Sequence, residues 1–242
     1  MNNIYLYDGH FSSLLSLIVQ LLNIEVFDIK SEEEYVPSLF DNVINLKIEN
    51  NIEYLKKYIT SNVIRCCHLV YLSNNKDKEI IIYNFIKQAI KYNNNVFNRR
   101  YLPYVNDAIT VAHRVTGEAH KLKGFLRFKK MKNNFYYAKY KSDNNVLGIL
   151  ANHFKKRLSG EYWIIKDEKR NIYAIYDKEK VVILNQDDVI KLNLDFSSVE
   201  NYIEELWKTF FKTIAIKERK NLKCQMNFMP KKYWNNLIEM EE

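Results

Sequence analysis

The sequence predicts an α+β fold: an antiparallel sheet with helices packed on it, preceded by a smaller strand-and-helix N-terminal region. Apolar residues recur at helical spacing in several segments, and Leu14, Leu15, Ile18, Leu21 and Leu22 form the clearest early stripe. From Gly124 onward the period changes from helical to alternating, the mark of strands. Between the early helices and the rest stands a polar run, Asn93, Asn94 and Asn95, followed by Pro103. A proline disfavours helix in the residue before it. A boundary is expected here, between a 1–95 N-terminal α/β region and a basic 96–242 α+β domain.

Each element has its own signal. Residues 4–7 suit a short strand, and Asp8 is placed to cap a helix running to about residue 24. The acidic stretch 31–34 and Pro37 suit a loop, residues 43–47 a second strand, and residues 51–58 and 77–92 two helices. A further helix from near Asn106 would bury Ala108, Val111, Val115, Ala119 and Leu122. Residues 125–129 and 135–140 suit a hairpin turned by Asn133 and Asn134. Asp143 could cap a helix to residue 158 with Val146, Leu150 and Phe154 inward, followed by strands over 162–166, 172–176 and 181–184. Ser197 and Glu200 fit a capping box opening a helix to about residue 216. The final segment, with Met229, Pro230, Tyr233 and Trp234, is too aromatic for a solvated tail and is expected to pack back.

Composition narrows the class. A chain of 242 residues with 47% hydrophobic content can bury one large core or two modest ones. No stretch approaches the roughly 20 apolar residues of a membrane span. Polar Asn2, Asn3 and Asp8 interrupt any signal-like opening, so a cytoplasmic location is expected. Cys66, Cys67 and Cys224 cannot all pair, which fits reduced thiols. Charge is unevenly spread: residues 1–97 hold 9 Lys and Arg against 11 Asp and Glu, and the remainder 28 against 18. The later part is thus suited to a polyanion. Seven of the eight arginines follow residue 98: Arg99, Arg100, Arg114, Arg127, Arg157, Arg170 and Arg219. Arginine supplies a planar fork for phosphate or carboxylate that lysine lacks.

Several constellations admit two readings. Alternation would place Phe125, Arg127 and Lys129 on one strand face and Phe135, Tyr137 and Lys139 on the next. That interleaving fits a platform for single-stranded nucleic acid, and fits an ordinary amphipathic sheet as well. His153, Lys156 and Arg157 lie away from their helix's apolar stripe, suited to phosphate contact or to the helix dipole. Metal ligation is not expected: seven helical residues set the His113 and His120 backbones about 10 Å apart. The Cys66-Cys67-His68 cluster lacks a CxxC partner. His120, beside Lys121 and Lys123, is a candidate phosphate contact or acid–base group. Asp167 and Arg170 could form a turn-stabilising pair, and nothing in the spacing brings Glu118, Asp167 and Asp177 together.

Six segments occur in order: YDGHFSSLL (7–15), GEAHKLKGFLRF (117–128), NNVLGILANHFKKRL (144–158), WIIKDEKRNIYAIYD (163–177), LWKTFFKTIAIKERKN (206–221) and MPKKYW (229–234). Together they resemble a bacterial family of uncharacterised proteins described as acting in DNA metabolism or DNA repair. The resemblance implies DNA as a partner, together with a radical-SAM protein of DNA repair or modification, and related domains joined to uracil-DNA glycosylase domains. It points to His120, Gly124, Arg127, His153, Arg157, Asp167, Arg170, Arg219, Pro230, Tyr233 and Trp234, while Asn144 stands where the family pattern has histidine.

The expectation is a DNA-binding accessory protein, without metal or other cofactor, that acts with a partner enzyme. Its nucleic-acid contacts would be His120, Arg127, His153, Arg157, Arg170, Arg219, Tyr233 and Trp234. The alternatives are a nuclease or base-excision enzyme using His120 and Asp167, and a protein-only scaffold.

Overall fold

The computed structural model describes residues 2–47, 52–131, 134–191, 208–209, 213, 221–237 and 240. The fold is α+β. Strand β1 (Asn2–Tyr7) is the middle of a three-stranded parallel sheet, flanked by β2 (Asp28–Ser31) and β3 (Asp41–Ile44). Parallel neighbours need crossovers, and helix α1 (Phe11–Leu21) lies in the chain between β1 and β2, burying Leu14, Leu15, Leu17, Ile18 and Leu21. Asp8 organises the entry to α1 without being its cap. Its carboxylate accepts from the His10 N–H (2.9 Å) and the Ser13 hydroxyl (2.8 Å), while Gly9 takes a φ of 83°. That positive φ is one that only glycine adopts freely.

Three more helices follow: α2 (Ile52–Tyr58), α3 (Ser61–Tyr71) and α4 (Lys78–Tyr92). The sequence reading missed α3, whose stripe is Val63, Cys66, Cys67 and Val70, at helical spacing. Both cysteines are buried free thiols and act as small apolar core residues. It also missed β2, since Ser31, assigned to an acidic loop, is that strand's buried last residue. The polar run at Asn93 ends α4 with a φ of 50°, a region that asparagine tolerates better than most residues. The chain continues as a 3₁₀ turn, Asn93–Asn98, whose Val96 is buried and whose Phe97 meets Phe85 edge-on at 5.9 Å.

Helix α5 (Pro103–Phe125) opens on its proline, where a missing N–H costs nothing. Ala108, Val111, Val115, Ala119 and Leu122 are buried. The chain forms two compact units, Met1–Thr116 and Gly117–Glu242, and the division falls within α5.

The second unit holds a five-stranded sheet in the order β4-β5-β6-β7-β8: Lys129–Lys130, Tyr136–Tyr140, Trp163–Asp167, Ile172–Tyr176 and Val181–Asn185. The expected antiparallel arrangement holds except between β5 and β6, which run parallel. Helix α6 (Leu147–Arg157) lies between them in sequence and carries the chain back to the same end of the sheet. It covers one sheet face with Leu150, Ala151 and Phe154. A ring cluster fills the space: Phe128 meets Phe154 at 4.9 Å and Trp163 at 6.5 Å, and Trp163 meets Tyr176 at 5.1 Å. Trp163 is fully buried, and a buried large apolar side chain contributes about 1.5–3 kcal/mol. A short helix α7 (Gln186–Lys191) follows β8. The helix expected over 197–216 lies outside the described residues. The C-terminal segment packs back as expected: in the 3₁₀ turn Lys231–Asn236, Tyr233 is buried with its ring 5.5 Å from that of Phe125. Among the described residues no helix is long and apolar enough to cross a membrane.

In the first unit the fully buried Glu79 accepts from the Tyr7 hydroxyl at 3.1 Å, with Lys78 Nζ 3.7 Å away and its second oxygen unpaired. Burial pushes its carboxyl above the ordinary 4.5, against the opposing pull of Lys78. An acid whose folded value is raised stabilises the fold below its ordinary value and loses that contribution as pH rises. Glu79→Gln should therefore gain stability relative to the parent as pH goes from 4 to 8. Denaturant midpoints at both values check this, and a gap that stays constant would refute it.

Candidate nucleic-acid interface

Strand register decides which side chains share a sheet face. Lys129 is opposite Tyr137, Tyr137 opposite Ile164, and Ile164 opposite Ile175. The next row runs Lys139, Lys166, Tyr173 and Leu184. Both rows lie on the face opposite Ala138, Trp163, Ile165 and Ala174, which are buried. The face is divided. Toward β7 and β8 it is apolar, where Ile164, Tyr173 and Val189 of α7 form a small core cluster with Phe135 and Tyr137 against it. Toward β4, β5 and β6 it carries Lys129, Lys139 and Lys166.

Like charges directly opposite each other weaken a sheet, yet Lys139 and Lys166 are paired in register. Two contacts relieve the repulsion in part. Glu168 Oε1 lies 3.2 Å from Lys139 Nζ, and Lys166 Nζ sits 5.1 Å from the centre of the Tyr173 ring. Lys139 is exposed and Lys129 and Lys166 are half-buried, so apolar stems lie along the sheet while the ammonium groups can reach solvent.

Part of the expected interleaving of aromatic and cationic side chains is therefore present on one sheet face. Lys129, Phe135, Tyr137 and Lys139 share a face, but Phe125 and Arg127 do not join them. Phe125 remains in α5, because Leu126 continues the buried Leu122 stripe and its N–H reaches the Leu122 carbonyl at 2.9 Å. Arg127 Nη1 donates to the Gly124 carbonyl at 2.8 Å. Alternation consequently starts only at Lys129, leaving β4 two residues long.

The other expected contacts fall into separate groups. His153 lies on α6 with its ring edge on Phe154, and burial together with Lys123 and Arg157 lowers its pKa. His120 is exposed on α5, and no described hydrogen bond or ion pair joins it to Asp167. Asp167 is fully buried: its Oδ1 accepts from the N–H groups of Lys169 (3.0 Å) and Arg170 (3.3 Å), and its Oδ2 from Arg170 Nη1 (2.9 Å) and the Tyr140 hydroxyl (3.4 Å). Arg170 also donates to the carbonyls of Ser142 and Asp143. Trp234 is half-buried, its indole N–H given to the Met229 carbonyl at 2.8 Å. Arg219 lies outside the described residues. Asp177 organises the β7–β8 turn by accepting from the N–H groups of Glu179 and Lys180. Among the described residues no group of three His, Cys, Asp or Glu is placed to hold a metal.

Sequence reasoning missed Glu118 as a centre. Its Oε1 accepts from the Asp143 N–H (3.1 Å), Lys232 Nζ (3.1 Å) and the Tyr233 hydroxyl (3.4 Å), and its Oε2 from the N–H (2.9 Å) and Nδ2 (2.7 Å) of Asn144. Lys232 Nζ also reaches Asp143 Oδ2 at 2.6 Å. The partners are 25 to 115 residues away in the chain, so no local pattern announces them.

A family model described as a domain of unknown function, DUF4130, matches residues 76–239. The chain belongs to the DUF4130 family. The match agrees with the resemblance to an uncharacterised family, and its description states no activity. No curated protein matches the chain. The lysine face and the Glu118 network both lie within the DUF4130 region.

Burial opposes ionisation of Glu118, but the Asn144 and Asp143 N–H groups and the Lys232 ammonium outweigh it and hold its carboxyl below the ordinary 4.5. A depressed acid stabilises the fold above its ordinary value and loses that contribution as pH falls through the folded value. Glu118→Gln should cost about 1.5–3 kcal/mol at pH 7, the scale of a hydrogen bond to a charged group. The gap should narrow below pH 4.5. Denaturant unfolding across pH tests both statements, and an unchanged midpoint at pH 7 would sink them.

Proposed function

We propose that this DUF4130 protein is a DNA-binding accessory factor in DNA repair or modification, acting beside a partner enzyme. The observation that supports this most directly is the in-register pairing of Lys139 with Lys166 on a sheet face that also carries Lys129 and tyrosine rings. Such a face concentrates positive charge at a cost in stability, and a phosphate backbone would relieve that cost. Tyr137 and Tyr173 lie beside the cations but pack into the small cluster around Val189, so the reading rests on the lysines rather than on ring stacking. The excess of 28 Lys and Arg over 18 Asp and Glu after residue 97 would draw the polyanion in. The resemblance to proteins of DNA metabolism adds the biological setting, including a radical-SAM protein as the partner enzyme. The enzymatic alternative gains no support from Asp167, whose oxygens are occupied by four donors.

Binding of the purified protein to single- and double-stranded DNA across a salt series tests the proposal. Each phosphate contact contributes about 0.7 to 0.9 to the slope of log affinity against log salt. Replacing Lys139 and Lys166 together by Gln should lower that slope by about 1.4 to 1.8 and weaken binding at low salt. A parent protein that does not bind DNA at low salt, or a double variant with an unchanged slope, would remove the lysine face from consideration.

A further inference from the structure

The first unit contains a cavity of about 350 Å³ between α3, the 3₁₀ turn after α4 and the first part of α5. Its walls divide by chemistry. The inner surface is apolar, with Cys66, Ile109 and Ala112 buried and Phe97 half-buried. Its rim carries Arg65, Arg100 and His113, all exposed. Neither Arg65 nor Arg100 has a carboxylate partner among the described residues. The adjacent Arg99 shows the contrast: its guanidinium stacks 3.9 Å from the centre of the Tyr92 ring and donates to the Tyr101 hydroxyl at 2.7 Å. One arginine of the pair is built into the fold, and the other is left at the mouth of a cavity.

Two guanidinium forks at one rim suit a dianion better than a single carboxylate, because each fork can take two oxygens. The apolar inner surface suits a flat ring, which Phe97 could stack against or meet edge-on. Thr116, also in the lining, donates its hydroxyl to the Ala112 and His113 carbonyls, each at 3.1 Å. Its oxygen can still accept from a ring N–H. Cys66 offers no nucleophile, since burial pushes its thiol up to about 11. The cavity therefore has no thiol chemistry of its own. Its volume lies at the small end of ligand pockets, about 300–1,000 Å³, enough for one small molecule and too little for a polymer segment.

We propose that this cavity binds a phosphorylated ring compound the size of a nucleoside monophosphate, with the phosphate between Arg65 and Arg100 and the ring against Phe97. This stands independently of the lysine face, which belongs to the second unit. Isothermal titration of the full chain with dTMP, thymidine, ribose 5-phosphate and inorganic phosphate tests it. The expected result is that dTMP binds more tightly than the other three. Arg65→Ala and Arg100→Ala should each weaken dTMP binding by about tenfold or more, as expected for loss of a charged hydrogen bond. Arg100→Lys should fall between. The variant carrying Gln at 139 and 166 should bind dTMP like the parent, which separates failure of this site from failure of the DNA reading. Circular dichroism and thermal midpoints confirm that the variants fold. No dTMP binding, equal binding of thymidine or ribose 5-phosphate, or arginine variants that bind like the parent would overturn the proposal.

Discussion

The second unit depends on one carboxylate. Glu118 gathers donors from Asp143, Asn144, Lys232 and Tyr233, and so joins α5 to the loop before α6 and to the C-terminal 3₁₀ turn. Burying a carboxylate is costly unless every oxygen is satisfied. Here two backbone N–H groups and an ammonium meet that requirement. The network extends outward through Asp143, which pairs with Lys232, and through Arg170, which spans the Ser142 and Asp143 carbonyls and the buried Asp167. These contacts fix the loop that launches α6, and α6 in turn covers one face of the five-stranded sheet. Which face is left to carry lysines is thus a consequence of where Glu118 holds its partners.

The two sheet faces show how that division is maintained. On the covered face Trp163, Ile165, Ala174 and Tyr176 are buried against α6 and its ring cluster. On the other, Lys139 and Lys166 stand opposite each other, an arrangement that local stability alone would not favour. Natural sequences break a local rule mostly where another demand is met. Glu168 and the Tyr173 ring soften the repulsion between Lys139 and Lys166.

Much of the fold was legible because periodicity is a local property. The stripe from Ala108 to Leu122 and the strands near 163, 172 and 181 follow from spacing alone. Helix α3 was not, because its buried stripe, Val63, Cys66, Cys67 and Val70, is short and half of it is cysteine, a weaker apolar signal than aliphatic residues. The phase of the first hairpin was misjudged by extending alternation back to Phe125, where the α5 stripe still governed. The pairing of β5 with β6 joins strands separated by a helix, so Lys139 and Lys166 could not be seen as neighbours in the sequence. Arg170 shows the limit of reasoning from residue type. The fork that suits phosphate serves Asp167 and two carbonyls equally well.

The distinction between lysine and arginine nevertheless sorts the two cationic features. The sheet face uses lysine, whose ammonium is a mobile point charge on a flexible stem. Such charges suit a backbone of repeating phosphates, where contact is distributed and register is not critical. The cavity rim carries Arg65 and Arg100, whose planar forks are directional where an ammonium is not. Arg65 is the one arginine outside the basic half of the chain. Net charge describes the field that a long polyanion meets, whereas a small anion responds to the few groups that line its cavity. A residue with little weight in the first account can therefore decide the second.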